Sequence, residues 1–230
     1  MGIVEEFTRL KRESGADVLA MQVGDFYEFF GDDAELVGDE LDLKVSQKAA
    51  GGTTHPMAGV PLSELAPYLR ALVERGYRVA VADQRDEALA DGSHEREVTR
   101  VVTPGTLLDT GDAAARYLAA LVRVDGRFGL ALTDVTTGEF RATTSPDADE
   151  AVTELARFDP TEVLPGPDLR DDETLLARLR ETTDATLTLH EARAFGPGRA
   201  KRRLGEQFGA GAVEGVGLER PAVAAAGAAL

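Results

Sequence analysis

The sequence predicts an α/β protein of two domains, each built on a mixed sheet. Helical and strand-like runs alternate through roughly the first hundred residues, the mark of a sheet covered by helices. A Gly/Thr/Asp-rich stretch, TPGTLLDTGD at 103–112, then interrupts that pattern. Beyond it YLAALVRV, a DG turn, RFGLALTDV, a TTG turn and EFRATT read as three consecutive antiparallel strands, followed by helix and strand in alternation. A chain of 230 residues has room for two such units, since domains commonly run to about 100–150 residues.

Element by element, Ile3, Phe7 and Leu10 are spaced for one face of a short helix over 3–13, and VLAMQV reads as a buried strand. Gly24-Asp25 is a turn. Helical spacing of Phe26, Phe29, Phe30, Val37 and Leu41 predicts one helix through FYEFFGDDAELVGDELDL. LKVSQ is a short strand, AAGGTTHP a loop ending where Pro56 forces an extended predecessor. SELAPYLRALVER reads as an amphipathic helix with Ser63 as N-cap, Pro67 in the first turn and Gly76 as stop. YRVAVAD and EVTRVV are strands. In the second domain Ser145-Pro146 opens a helix through Phe158, TEVLP is a strand, DDETLLARLRE a helix, ATLTLH a strand and GRAKRRLGEQF a helix. Three antiparallel strands followed by helix, strand, helix, strand, helix is the element order of a ribonuclease-H-like fold. PAVAAAGAAL starts as a helix but carries no stop signal, so it reads as the opening of a longer, truncated helix.

Composition narrows the function. No run of 18 apolar residues exists to cross a bilayer and MGIVEEFTRLKRESG lacks a signal-peptide layout, which predicts a cytoplasmic protein without a membrane partner. The absence of cysteine rules out disulfides and thiol chemistry, and His55, His94 and His190 have no metal-ligand spacing. The net charge of −16 argues at first against nucleic acid. Yet only Lys11, Lys44, Lys48 and Lys201 are lysines among 25 basic residues, and acidic residues crowd loops such as GDDAELVGDELD and LRDDET. That pattern suits a halophile's cytoplasm, where a Debye length of about 3 Å in molar salt screens self-repulsion. A DNA binder in such salt must lean on stacking and shape.

The stretch GDFYEFF concentrates aromatics around one carboxylate. Phe29 and Phe30 fit a core role. Phe26, at the turn, and Glu28 instead suit a flat heteroaromatic partner: the ring stacks on its face while the carboxylate accepts from its edge. Other motifs carry less. GPGRAKRR at 196–203 lacks the spacing of a phosphate loop, and GAGAVEG lacks that of a dinucleotide site. Asp134 on a central strand invites a magnesium nuclease, but the sequence assigns it no partner carboxylates.

GDFYEFF, LDLKVSQK, HPMAGVP, YLRALVERGYRVAVADQ and REVTRVVTPGT, in that order, resemble the N-terminal domain of the MutS family of DNA mismatch repair proteins, and LALTDVTTGEF, FDPTEVLPG, RRLGEQFG and VAAAGAAL resemble its connector domain. The resemblance, strongest to haloarchaeal versions, covers essentially the whole chain. It implies a mixed-sheet mismatch-recognition domain over 1–107, a ribonuclease-H-like connector domain over 113–219, and the start of a lever helix at 220–230. It also implies roles. Phe26 wedges into the minor groove and stacks on a mispaired base, Glu28 hydrogen-bonds that base, Lys48 approaches the backbone, and Pro56 and Met57 make minor-groove contacts. One departure precedes the motif: many relatives have an arginine where this chain reads AMQV, which removes a backbone contact and leaves the wedge.

The expected partners are mismatched double-stranded DNA, a MutL-type protein docking on the connector, and a second copy in the full-length dimer. The segment is expected to need no cofactor and to be no enzyme, ATP and magnesium belonging to the full-length family protein. Two rival readings are an interaction module that keeps only the connector surface, and the metal-dependent nuclease built on Asp134.

Overall fold

The computed structural model describes residues 2–88, 94–107 and 116–230. The chain forms two compact units, the first ending at Leu107. The second half of the predicted boundary stretch, residues 108–112, lies outside the described residues, as do residues 113–115.

The first unit runs α1 (Ile3–Ser14), β1 (Val18–Val23), β2 (Phe26–Phe30), α2 (Asp32–Leu41), β3 (Ser46–Ala50), β4 (Thr53–Pro61), α3 (Leu65–Glu74), β5 (Val79–Ala88) and β6 (His94–Val102). Its six strands form one mixed sheet in the order β3-β4-β2-β1-β5-β6, with only β1 and β5 parallel. One face packs Val18, Ala20, Tyr27 and Phe29 against Val37 of α2 and Leu69 and Leu72 of α3. The other packs Leu19, Met21 and Phe30 against Phe7 and Leu10 of α1. Lys11 of α1 also pairs with the buried Asp33 at the start of α2, whose other oxygen accepts from Leu19 N at 2.8 Å.

Three expectations for this unit are corrected. Phe26–Phe30 is a strand, and the helix begins only at Asp32. Gly24, with φ 60°, provides the positive φ that a two-residue hairpin needs at its first position, so β2 folds back on β1 with Val23 opposite Phe26. Gly31, at φ 58° and ψ −130°, then breaks the strand. AAGGTTHP is likewise no loop: β3 begins at Ser46 and turns through Gly51 and Gly52, both at positive φ, into β4. Ser63 makes no cap; a 3-10 turn over Leu62–Glu64 precedes α3 instead.

The second unit runs β7 (Tyr117–Val124), β8 (Arg127–Asp134), β9 (Phe140–Ser145), α4 (Ala148–Phe158), β10 (Glu162–Pro165), α5 (Glu173–Thr182), β11 (Thr186–Leu187), α6 (Pro197–Phe208), α7 (Ala210–Val216) and α8 (Arg220–Ala229). The sheet order is β11-β10-β7-β8-β9, in which the antiparallel meander expected from the sequence is extended by two parallel strands. Asp147 caps α4 by accepting from Glu150 N at 2.9 Å, whereas Ser145 ends β9. Helices α4 and α5 cover one face and α6 and α8 the other. Helix α8, within the stretch read as the start of a lever helix, packs on this sheet, with Ala224, Ala225 and Ala226 fully buried. The closeness is set by glycine: a Cβ on Gly129 of β8 would lie 1.9 Å from the Pro221 carbonyl oxygen.

Candidate nucleic-acid interface

Side chains alternate across a strand, so Phe26, Glu28 and Phe30 share the α1 face of the first sheet while Tyr27 and Phe29 face α2 and α3. Helix α1 covers one end of that row, where Phe7 meets Phe30 edge to face at a centroid distance of 5.3 Å. It leaves the other end open. Phe26 is 47% exposed, although the remaining aromatics of the run are buried.

Glu28 is buried beside it. Opposite Glu28 on β4 stands Gly59, where even a Cβ would come within 3.7 Å of Glu28 Cγ. Lys48 reaches across from β3 and donates to Glu28 Oε2 at 2.5 Å, its Nζ lying 5.4 Å from the Phe30 ring centroid. On the reverse face the Tyr27 hydroxyl donates to Asp83 Oδ1 at 2.5 Å, and the Thr99 hydroxyl donates to Asp83 Oδ2. Burial first, and then the neighbouring carboxylate, push the Tyr27 phenol up to about 12.

The register sorts the sequence-predicted residues. Met57 pairs with Phe30, and Lys48 pairs with His55, so Phe26, Glu28, Lys48 and Met57 belong to one face. Pro56 does not: it alternates with Met57 and lies on the side of Ala58, which packs toward α2. Its carbonyl accepts from Gly31 N at 3.0 Å, just past the last β2 pair, where a missing N–H costs the ladder little. His55, not anticipated for this face, joins it and exchanges a hydrogen bond with Thr53 at 2.8 Å. The two-residue period of H-x-M-x-G carried that signal. Beyond His55 a cleft of about 660 Å³ opens between α1 and the junction of β2 with α2 at Phe30, Gly31 and Asp32, edged by Thr8, Lys11 and Arg12.

In the second unit Asp134 is committed to its own turn. One carboxylate oxygen accepts from Thr136 N and Oγ1 at 2.9 and 2.7 Å, the other from Thr137 Oγ1 at 2.8 Å. No group of three or more metal-ligating side chains occurs among the described residues. GPGRAKRR spans the N-terminus of α6, entered from a 3-10 turn with Gly196 extended, so the strand and glycine cradle of a phosphate loop are not built there. Among the described residues no helix is long and apolar enough to cross a membrane.

Residues 1–111 match MutS domain I, and residues 116–230 match MutS domain II. The whole chain is 58% identical to DNA mismatch repair protein MutS 1 of Haloarcula marismortui and 61% identical to the protein of that name in Halobacterium salinarum, covering 26% of each. It is 39% identical to DNA mismatch repair protein MutS of Symbiobacterium thermophilum over 98% of this chain and 27% of that protein. The chain thus spans about a quarter of the length of these relatives.

Proposed function

This chain belongs to the MutS family, of which it carries domains I and II, and from that premise we propose that the α1 face of its first unit reads mispaired or looped-out bases in duplex DNA. The observation that supports this reading is the exposed Phe26 standing one strand period from the buried Glu28. Phe26 acts as the wedge. Inserting an apolar ring unstacks a base step and kinks the duplex, at a cost of a few kcal/mol for a paired step and less where a mismatch is already loose. Stacking returns about 1–3 kcal/mol whatever the base. Discrimination then comes from deformability, which lets one site read many mismatches. Glu28 accepts from the displaced base, Met57 meets the groove from the Phe30 end of the same face, and Lys48 supplies backbone attraction.

Around this core the family resemblance supports further proposals. The protein works in a salt-rich cytoplasm, in keeping with its charge and its haloarchaeal relatives. Full-length proteins dimerise, use ATP and magnesium in domains other than I and II, and meet a MutL-type partner through the second unit. In that unit Phe140, Leu204, Phe208, Val216 and Leu218 line an open apolar groove of about 510 Å³, the observation that favours an interaction role for the connector.

Fluorescence anisotropy with matched and G·T duplexes, in low and molar KCl, tests the reading. A mismatch preference that survives salt and vanishes in Phe26→Ala supports the wedge. Equal binding by both proteins leaves only the interaction module.

A further inference from the structure

Lys48 crosses four residue positions of β4 to reach Glu28. It stands opposite His55, yet its Nζ ends beside a carboxylate that stands opposite Gly59, with the Phe30–Met57 pair between those rows. Gly59 itself puts no side chain beside the carboxylate. The ammonium has two partners there, the Glu28 carboxylate at 2.5 Å and the face of Phe30. The pair is withdrawn from solvent, the side chains being 29% and 12% exposed. A lone carboxylate on a surface meant for DNA would face phosphate repulsion, and this one is neutralised before DNA arrives.

We infer that Lys48 is a specificity-determining residue, which holds Glu28 closed as an ion pair until a base donor displaces it. This rests on the reading of the α1 face as the one that meets the duplex. The minor groove of a matched duplex offers mostly acceptors, with the guanine amino group the only donor. It has little to exchange for Lys48, and the pair stays closed. A mispaired or extruded base turns N–H groups of its pairing edge toward the protein. Glu28 then trades one donor for another and the freed ammonium reaches for a phosphate. Both charges stay compensated throughout, so the exchange is cheap with a mismatch and expensive without one.

The test is a double-mutant cycle with Lys48→Met, which keeps the aliphatic stem over Phe30, and Glu28→Gln, titrated on matched and G·T duplexes. Lys48→Met is expected to weaken matched binding at least about threefold more than mismatch binding, and Glu28→Gln in that background to restore the matched affinity. Glu28→Gln alone frees Lys48 for phosphate. It should tighten matched binding and steepen the slope of log K against log[KCl] by about one contact. That second measurement needs no lysine variant and decides the matter if Lys48→Met fails to fold. Equal losses on both duplexes, the same with or without the Glu28 carboxylate, would make Lys48 a phosphate contact alone and overturn the inference while leaving the wedge intact. An unmodified chain with no mismatch preference would overturn both.

Discussion

The Tyr27 hydroxyl reaches across β1 to donate to Asp83 Oδ1 of β5, from the one residue that separates Phe26 from Glu28. This bond fixes the rotation of β2 about its axis, and with it the direction in which wedge and carboxylate leave the opposite face. Tyr27→Phe is expected to cost about 1.5–3 kcal/mol, the range for a hydrogen bond to a charged group. The pH dependence has a definite sign. Because the folded phenol is pushed up from 10 to about 12, its contribution is intact below pH 10 and is lost as pH rises through about 12. Urea unfolding from about pH 9 upward should show that loss in the parent chain and not in Tyr27→Phe.

Phe26 and Phe29 should separate cleanly in stability. Phe29 is fully buried between the sheet and its helices, so Phe29→Ala is expected to cost about 3–5 kcal/mol. Phe26→Ala, at a ring half in solvent, should cost about 1 kcal/mol or less. Chemical denaturation of both variants checks this. A Phe26 loss as large as that of Phe29 would place the ring in the core and remove it as a wedge.

These two residues also mark how much of the molecule is legible from local sequence. The second unit is readable because each strand of its meander is long enough to carry its own pattern and the turns between them carry glycine. In the first unit, Phe26, Phe29, Phe30, Val37 and Leu41 satisfy a helical period, and nothing local excludes one helix. What decides is non-local pairing of Phe26–Phe30 with β1 on one side and β4 on the other, together with the positive φ of Gly31. The site divides in the same way. Phe26 and Glu28 are recognisable as a motif, but their common face is a property of the strand, and the Lys48–Glu28 pair depends on a hairpin register set at Gly51-Gly52. Pro56 and Met57 are neighbours in sequence and opposites in space for that reason.

Lys11 offers a test of how α1 is held to the sheet. Asp33 is buried, and desolvation holds its carboxyl above the usual value despite Lys11 and the Leu19 N–H. Lys11→Met would leave that charge without its partner, an expected loss of about 3–5 kcal/mol near neutrality. A carboxyl with a raised folded pKa loses stability as pH rises and regains it as pH falls. The deficit of Lys11→Met should therefore shrink as pH falls from neutrality into the acid range, as Asp33 takes up a proton. Comparing urea midpoints of the two proteins across that range tests it, and a pH-independent deficit would contradict it.

Asp134 should behave oppositely. The Thr136 hydroxyl first, then the Thr137 hydroxyl and the Thr136 N–H, hold it from 3.8 down to about 2 against the effect of burial. Its contribution is present above about pH 4 and is lost as pH falls through 2. Asp134→Asn is expected to be less stable near neutrality by about 1–2 kcal/mol and to converge with the parent chain in acid. An unchanged stability, joined to magnesium-dependent cleavage of DNA that this substitution abolishes, would instead favour the nuclease reading.

The close approach of α8 to the second sheet gives the last expectation. The alanines of PAVAAAGAAL allow it, because a helix of small side chains can lie directly on a strand that also lacks one. At Gly129 a Cβ would overlap the Pro221 carbonyl at 1.9 Å, and at Gly227 one would lie 2.2 Å from Ala200 Cβ of α6. Both obstacles are parts of the backbone or a methyl group and have no rotamer to retreat into. Gly129→Ala must push α8 outward along its length and part the packing of Ala224 and Ala225, so it should cost about 3 kcal/mol or more, at the upper end of overpacking effects. Gly126→Ala, at the exposed DG turn with φ 80°, meets no atom within 4 Å and strains only its own backbone. It should lose about 1 kcal/mol. Thermal unfolding of the two variants would show whether steric contact at α8, and not glycine content, is what this half of the chain depends on.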